Sequence, residues 1–221
     1  TPTEAGVARL LSEATPAHVG LFLASSMPVR DMDIFAVPDG PRLIVGANRG
    51  ASGIDGTVAS ACGLAVGLQR PVTLLIGDLA LLHDLNSLAM LNNLPQTVII
   101  VVINNDGGGI FDHLPIAQFG ESFEKYFIAP HGFRFEHAAR QFGLKYQHAP
   151  TLAELRTQYV HAMAAMTPSI IEVSRAADSG DRHDAQTLIN SPNVGSDAVI
   201  YDVWPERKSG RDVAARLSRL P

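Results

Sequence analysis

The chain has 221 residues and a formal net charge of −5. That mild acidity excludes a nucleic-acid binder built on a basic face, and no tract of about 20 apolar residues marks a membrane span. Charged residues make up 18% and hydrophobic residues 46%, against roughly 25% charged in an average domain, so a large core or partner-covered faces are expected. Cys62 stands alone, which leaves no internal disulfide and suits a reducing compartment. No charged-then-apolar leader opens the sequence, and the expectation is a cytoplasmic protein.

In chain order, Thr3 can cap a first helix through about residue 14, with Glu4 in its first turn. Strand one is expected at 20–24, then a turn at 25–28 and a short helix at 29–35. Strand two falls at 43–45. A glycine-rich loop, 46–56, enters a small-residue helix at 57–68. Strand three is 72–76, a helix covers 81–92, and strand four is 97–103. A long loop spans 104–130. A helix is expected at 134–142, a short strand at 145–147, a helix at 151–166 capped by Thr151, and a last strand at 169–173.

Strands three and four are apolar nearly throughout, the pattern of strands buried on both faces in a parallel sheet. Strand–helix–strand spacing of about 30 residues is the right-handed βαβ crossover. Residues 1–174 therefore read as one α/β domain, a doubly wound, roughly six-stranded parallel sheet with helices on both faces. Residues 175–221 form a C-terminal extension of open role. It has a polar linker at 176–196, a possible strand at 198–203 and a short helix at 210–220. Its last segment, 205–221, carries five bases and two acids. A solvated tail explains that balance better than a contact patch.

In an open parallel sheet, ligands bind beyond the carboxyl ends of the strands. Strand three ends in Gly77-Asp78 and strand four in Asn104-Asn105-Asp106-Gly107-Gly108-Gly109. Asp78 and Asn105 lie 27 positions apart, joined by one crossover that returns the chain to the same sheet edge. A carboxylate and a carboxamide oxygen thus converge at one rim, and the glycines let backbone groups approach a ligand closely. Hard oxygen donors suit Mg²⁺ or Ca²⁺ rather than Zn²⁺. Mg²⁺ completes its shell with phosphate oxygens and water, and helix N-termini hold such phosphates. Alone, Gly-Asp is a helix cap and the Asn-Gly run a flexible turn. Paired at this spacing, each directly after an apolar strand, they resemble the thiamin diphosphate (ThDP) binding pattern, with Leu79 where a third glycine is usual.

The resemblance sharpens at Asn48-Arg49-Gly50-Ala51-Ser52-Gly53-Ile54-Asp55-Gly56, Gly77-Asp78-Leu79, His83-Asp84-Leu85-Asn86, Ile110-Phe111, Leu114-Pro115, Phe135-Glu136-His137 and Leu144-Lys145-Tyr146. Over residues 20–173 the chain resembles the C-terminal, diphosphate-binding domain of the 2-succinyl-5-enolpyruvyl-6-hydroxy-3-cyclohexene-1-carboxylate synthase family of menaquinone biosynthesis. That resemblance implies a ThDP- and Mg²⁺-dependent (or Mn²⁺-dependent) carboligase. It would decarboxylate 2-oxoglutarate and add the succinyl carbanion to isochorismate. It implies Asp78, Asn105 and the Gly107 carbonyl as metal ligands. Ser26, Met27, Gly77, Leu79 and Gly108 would line the diphosphate, Ile54 would support the bent cofactor, and Ile110, Phe111 and Leu114 would wall its thiazolium side, where Phe111 also meets substrate. Arg30 and Arg49 would contact the anionic substrates, since arginine forms paired bonds with carboxylates. For Ser26, a loop cap and a phosphate donor stand as equal readings.

The family's activating glutamate comes from an N-terminal domain of a second subunit. Neither that domain nor the family's middle domain fits in 221 residues. No catalytic residue is therefore assigned within the chain. Alone it is expected to bind ThDP–Mg²⁺ weakly or not at all and not to turn over, and self-association as a homo-oligomer, dimer or tetramer, is expected. Two alternatives stay open: another ThDP-dependent 2-oxo acid decarboxylase or carboligase, and a non-catalytic ThDP-fold binding module. His83 and His137 read as packing or capping residues and Cys62 as a packed one. Neither a Gly-x-Ser-x-Gly elbow nor a Gly-x-Gly-x-x-Gly after strand one is present.

Overall fold

A computed structural model of the chain describes residues 2–48 and 53–174. The extension, 175–221, lies outside the described residues with the strand and helix expected there, and so does Arg49. The described chain runs α1 (Glu4–Ala14), β1 (Gly20–Leu23), α2 (Met27–Phe35), β2 (Ile44–Ala47), α3 (Thr57–Leu68), β3 (Val72–Gly77), α4 (Asp78–His83), β4 (Val98–Asn104), α5 (Glu121–Phe123), α6 (Glu136–Gln141), β5 (Lys145–His148), α7 (Leu152–Ala165) and β6 (Ser169–Ser174). The strands form one parallel sheet in the order β2-β1-β3-β4-β6-β5.

Every residue of β4 is buried, as are Val72–Ile76 of β3. Period-two alternation then divides their side chains between two cores. Leu74, Ile76, Ile100 and Val102 pack with Val58, Ala61 and Cys62 of α3 and with Ala139 of α6. Leu75, Ile99, Val101 and Ile171 pack on the other face with Val7 and Leu11 of α1 and Leu155 and Tyr159 of α7. Helices on both faces explain why these strands carry continuous apolar runs rather than alternating ones. One polar knot lies inside the second layer. The Tyr159 hydroxyl is 2.9 Å from Thr15 Oγ1 and 2.6 Å from Thr73 Oγ1, tying α7 to the end of α1 and to β3. The expected caps form. Thr3 Oγ1 accepts from Gly6 N at 3.0 Å and Thr151 Oγ1 from Glu154 N at 3.2 Å, bonds worth about 1 kcal/mol each.

The helix expected at 81–92 divides in two. α4 begins on Asp78, immediately at the strand end, and stops at His83, and a 3₁₀ segment, Leu85–Asn93, follows. The cause is Asp84. Its Oδ2 accepts from Val58 N and Ala59 N at 2.6 and 3.1 Å, and its Oδ1 from Ser87 Oγ at 2.5 Å. The carboxylate caps the exposed donors of α3 and complements its dipole, a role that draws Asp84 out of helical geometry. The loop expected at 104–130 carries short helical turns, 3₁₀ at Gly109–His113 and Pro115–Phe119, then α5 and a π-turn at Glu124–Ile128.

Glu172 of β6 is completely buried. Its carboxylate accepts from Phe135 N at 2.9 Å, the Tyr146 hydroxyl at 2.9 Å, Asn104 Nδ2 at 2.8 Å and Arg134 Nη1 at 3.2 Å. One side chain therefore joins the ends of β4, β5 and β6 and the start of α6. Removing it leaves several buried donors without a partner, so Glu172→Ala is expected to destabilise the chain by about 3–5 kcal/mol. Urea unfolding followed by circular dichroism measures this, and a loss below about 1 kcal/mol contradicts the account.

Candidate cofactor and metal site

Parallel pairing of β3 with β4 sets Gly77 against Ile103. Asp78, directly after Gly77, and Asn105, directly after the last residue of β4, therefore leave the sheet close together at its carboxyl edge. A cavity of about 180 Å³ opens there. Its lining includes Ser26, Met27, Ile54, Gly77, Asp78, Leu79, Asn105, Gly107, Gly108, Ile110 and Phe111. Glu4, Ser25, Pro28, Ala80, Ile103 and Gly109 also border it, and of these six only Gly109, in the glycine run after Asn105, was expected near a ligand from sequence.

Two expected positions lie elsewhere. Leu114 is absent from the lining and 49% exposed, because it sits between two 3₁₀ turns that carry it outward. Arg30 also stands off the cavity, and its Nη1 donates to the Ser26 carbonyl at 2.6 Å along α2. Arg49 is outside the described residues.

Asp78 is 2% exposed. Its Oδ1 accepts from Leu79 N at 2.6 Å and its Oδ2 from Gly107 N at 3.0 Å. Burial pushes its carboxyl above the usual range, and the two N–H groups and His131 oppose that push. Asn105 is the complementary half. Its Nδ2 donates to Glu4 Oε1 at 2.8 Å, while its Oδ1 is buried without a hydrogen-bond partner. Gly107 has φ +135°, and a Cβ there would stand 2.0 Å from the Ile128 carbonyl, so only glycine fits. The Gly107 carbonyl accepts from Gly109 N at 3.1 Å.

A carboxylate, an amide oxygen lacking a donor and a nearby backbone carbonyl fit a hard cation such as Mg²⁺. The described residues hold no cluster of three or more His, Cys, Asp or Glu able to bind a metal. The diphosphate side fits as well. The N-terminus of α2 opens on the cavity at Ser26 and Met27, where free N–H groups and the helix dipole favour an anion. Ser26 caps no backbone group of α2 through its side chain. Its backbone adopts φ 78°, ψ −134°, a region costly for any residue but glycine.

Three further residues complete the site. His131 has a side chain 7% exposed, and its Nε2 lies 3.2 Å from Asp78 Oδ2, turned off hydrogen-bond alignment. Phe133 N donates to its Nδ1 at 2.9 Å, which leaves Nε2 as the protonated nitrogen of the neutral ring. Asp106 holds the neighbouring turn, accepting from His131 N and Gly132 N at 3.0 and 2.7 Å. The Gly132 bond leads the causes that hold its carboxyl below the usual range. Asp31 is 3% exposed beside Glu4. Burial first, then the Glu4 charge, push its carboxyl up to about 8, against the opposing Arg30 charge. No local signal marks Glu4 or His131. Their partners lie 101 and 53 positions away, at Asn105 and Asp78.

Residues 32–173 match the family described as thiamine pyrophosphate enzyme, C-terminal TPP binding domain, and the chain belongs to it. Among curated proteins it is similar to the 2-succinyl-5-enolpyruvyl-6-hydroxy-3-cyclohexene-1-carboxylate synthase of Rubrobacter xylanophilus. The identity is 60% over 171 residues, 77% of this chain and 29% of that protein. The synthase of the same name from Prosthecochloris aestuarii is 49% identical over 177 residues, 80% of this chain and 31% of that protein. The chain thus spans about 30% of the length of these relatives. Among solved structures, the benzoylformate decarboxylase of Polynucleobacter necessarius superposes with a TM-score of 0.61 at 24% identity, covering 77% of this chain and 32% of that one. A putative thiamin diphosphate-dependent enzyme of Mycobacterium smegmatis gives 0.62 at 21% identity, covering 78% and 31%. These two likenesses establish the fold.

Two outcomes follow from this geometry. Ser26→Gly relieves the positive-φ backbone and is expected to raise stability by about 1 kcal/mol, read as a higher urea midpoint with unchanged slope. An unchanged or lower midpoint contradicts it. For Asp31 the folded carboxyl titrates near 8 and the unfolded one near 3.9. The unfolded chain therefore loses its proton first, and stability falls as pH climbs through that interval. Asp31→Asn removes the drop, so its Tm relative to the parent chain should rise steadily from pH 5 to pH 8.5. A pH-independent difference contradicts it.

Proposed function

We propose that residues 1–174 are the diphosphate- and Mg²⁺-holding domain of a synthase that decarboxylates 2-oxoglutarate and adds the succinyl unit to isochorismate in menaquinone biosynthesis. The observation that carries the cation assignment is the buried Asn105 Oδ1 without a donor, beside the buried Asp78 carboxylate. The 60% identity to a synthase of that name supports the substrate pair. ThDP, when bound, supplies a carbon nucleophile that stabilises the carbanion left by decarboxylation.

This chain's own residues supply binding and orientation. Asp78, the Asn105 amide oxygen and the Gly107 carbonyl hold Mg²⁺ or Mn²⁺. Ser26, Met27, Gly77, Leu79 and Gly108 receive the diphosphate at the N-terminus of α2 and in the loop after β4. Ile54, Ile110 and Phe111 form the apolar wall that excludes water. Arg30 and Arg49 take the substrate carboxylates. For Arg30 this requires the guanidinium to leave the Ser26 carbonyl. The activating glutamate and the remaining domains complete the enzyme in a cytoplasmic homo-oligomer. No helix of the described residues is long and apolar enough to cross a membrane.

The test uses a chimera in which this chain replaces the matching segment of the Rubrobacter synthase. Release of CO₂ from 2-oxoglutarate with isochorismate present is expected, with none from the isolated chain. Asp78→Ala should weaken ThDP binding in the presence of Mg²⁺ by about 10–100-fold, the loss of one charge-assisted contact, measured calorimetrically. Preference for pyruvate or benzoylformate would favour a different 2-oxo acid enzyme. ThDP binding indifferent to Asp78→Ala would remove the cation assignment.

A further inference from the structure

We propose that Glu4, in the first turn of α1, is a positioning residue for the cation site, fixing which end of the Asn105 amide faces the cavity. The inference rests on Asn105 being a metal ligand, as proposed above. An amide has a donating and an accepting end, and rotation by a half-turn exchanges them. A cation needs the oxygen. A carboxylate only accepts, so the nitrogen end must turn to it. Glu4 Oε1 receives Nδ2 at 2.8 Å, and the oxygen is thereby left as the buried end with no donor.

Two further features hold this arrangement. A Cβ at residue 109 would stand 2.5 Å from Asn105 Nδ2, so glycine at that position leaves room for the amide. Glu4 itself is set by its helix. Thr3 Oγ1 caps Gly6 N, and Val7, Ala8 and Leu11 bury α1 in the core beneath the sheet. The acid in the first turn of α1 therefore does more than complement a dipole. It reaches across the fold and presets a ligand atom, and its own negative charge borders the cavity without being needed as a ligand. Outer partners of this kind typically change metal affinity by about 10–100-fold when removed.

Glu4→Gln is nearly isosteric but brings an N–H₂ that can donate to Asn105 Oδ1, opposing the proposed orientation. Two readouts on the 221-residue chain decide the matter. The first is the ¹⁵N side-chain amide signal of Asn105 without metal. A pair of resonances shifted by the charged acceptor is expected, moving to ordinary amide positions in Glu4→Gln and Glu4→Ala and partly restored in Glu4→Asp. The second is broadening of resonances near Asp78 and Asn105 by Mn²⁺ in the presence of ThDP, a readout sensitive to weak binding. Its Mn²⁺ midpoint should rise about tenfold or more in Glu4→Gln, with the backbone spectrum otherwise unchanged. An Asn105 signal indifferent to Glu4 overturns the inference. So does an unchanged midpoint in Glu4→Gln when Asp78→Ala abolishes the broadening. Broadening that survives Asp78→Ala instead removes the underlying cation assignment; broadening absent from the parent chain accords with its expected weak binding, and in either case the metal-free Asn105 signal alone judges the role of Glu4.

Discussion

The structure depends on one alignment, the parallel pairing of β3 with β4 that sets Gly77 beside Ile103. A shift of one residue would turn every apolar side chain of a fully buried strand to the opposite layer. Both layers are closely packed around these strands, so the core fixes the register. The register in turn fixes where Asp78 and Asn105 emerge. Packing energy spread over dozens of methyl groups is thus converted into the placement of two oxygen-bearing side chains at the sheet edge, and no local interaction between those two side chains is required.

Polar residues do the finer work. Carboxylates recur where elements must be joined beyond the sheet: buried Asp84 at the start of α3, buried Glu172 across the ends of β4, β5 and β6, and half-buried Glu4 against Asn105. Each accepts N–H donors, and at Asp84 and Glu172 those donors would otherwise be buried unpaired, the condition under which an interior charge is tolerated. Their placement follows a pattern. The apolar layers hold the sheet, and the carboxylates hold the loops and helix ends that frame the cavity.

Much of this was legible in the sequence. The apolar runs at 72–76 and 98–103 carry the signature of a covered parallel sheet, and the two chemically informative dipeptides, Gly77-Asp78 and Asn104-Asn105, sit where the crossover rule puts a ligand. Thr3 and Thr151 were readable as caps because capping is local. The helix boundary near residue 84 was not, because Asp84 answers to Val58 and Ala59, 26 and 25 positions away. Glu4 read as an ordinary first-turn acid and His131 as nothing in particular, since their partners come from distant segments. The outward placement of Leu114 was hidden for a related reason. Successive short turns within 109–128 have weak periodicity and leave no pattern to read.

The Asp84 clamp has a mechanical corollary. It welds the first turn of α3 to the tail of α4, and these two helices flank the cavity from the chain segments ending at Ile54 and beginning at Asp78. That corner ties the Ile54 and Asp78 sides of the cavity to each other. The opposing rim, the stretch from Asn105 to Phe133, is held separately, by glycine contacts, carboxylate-held turns and the Phe111–Phe127–Phe123 ring cluster rather than by the two apolar layers. The division is that of a vise, with one jaw cast into the frame and the other bolted on by its own fastenings.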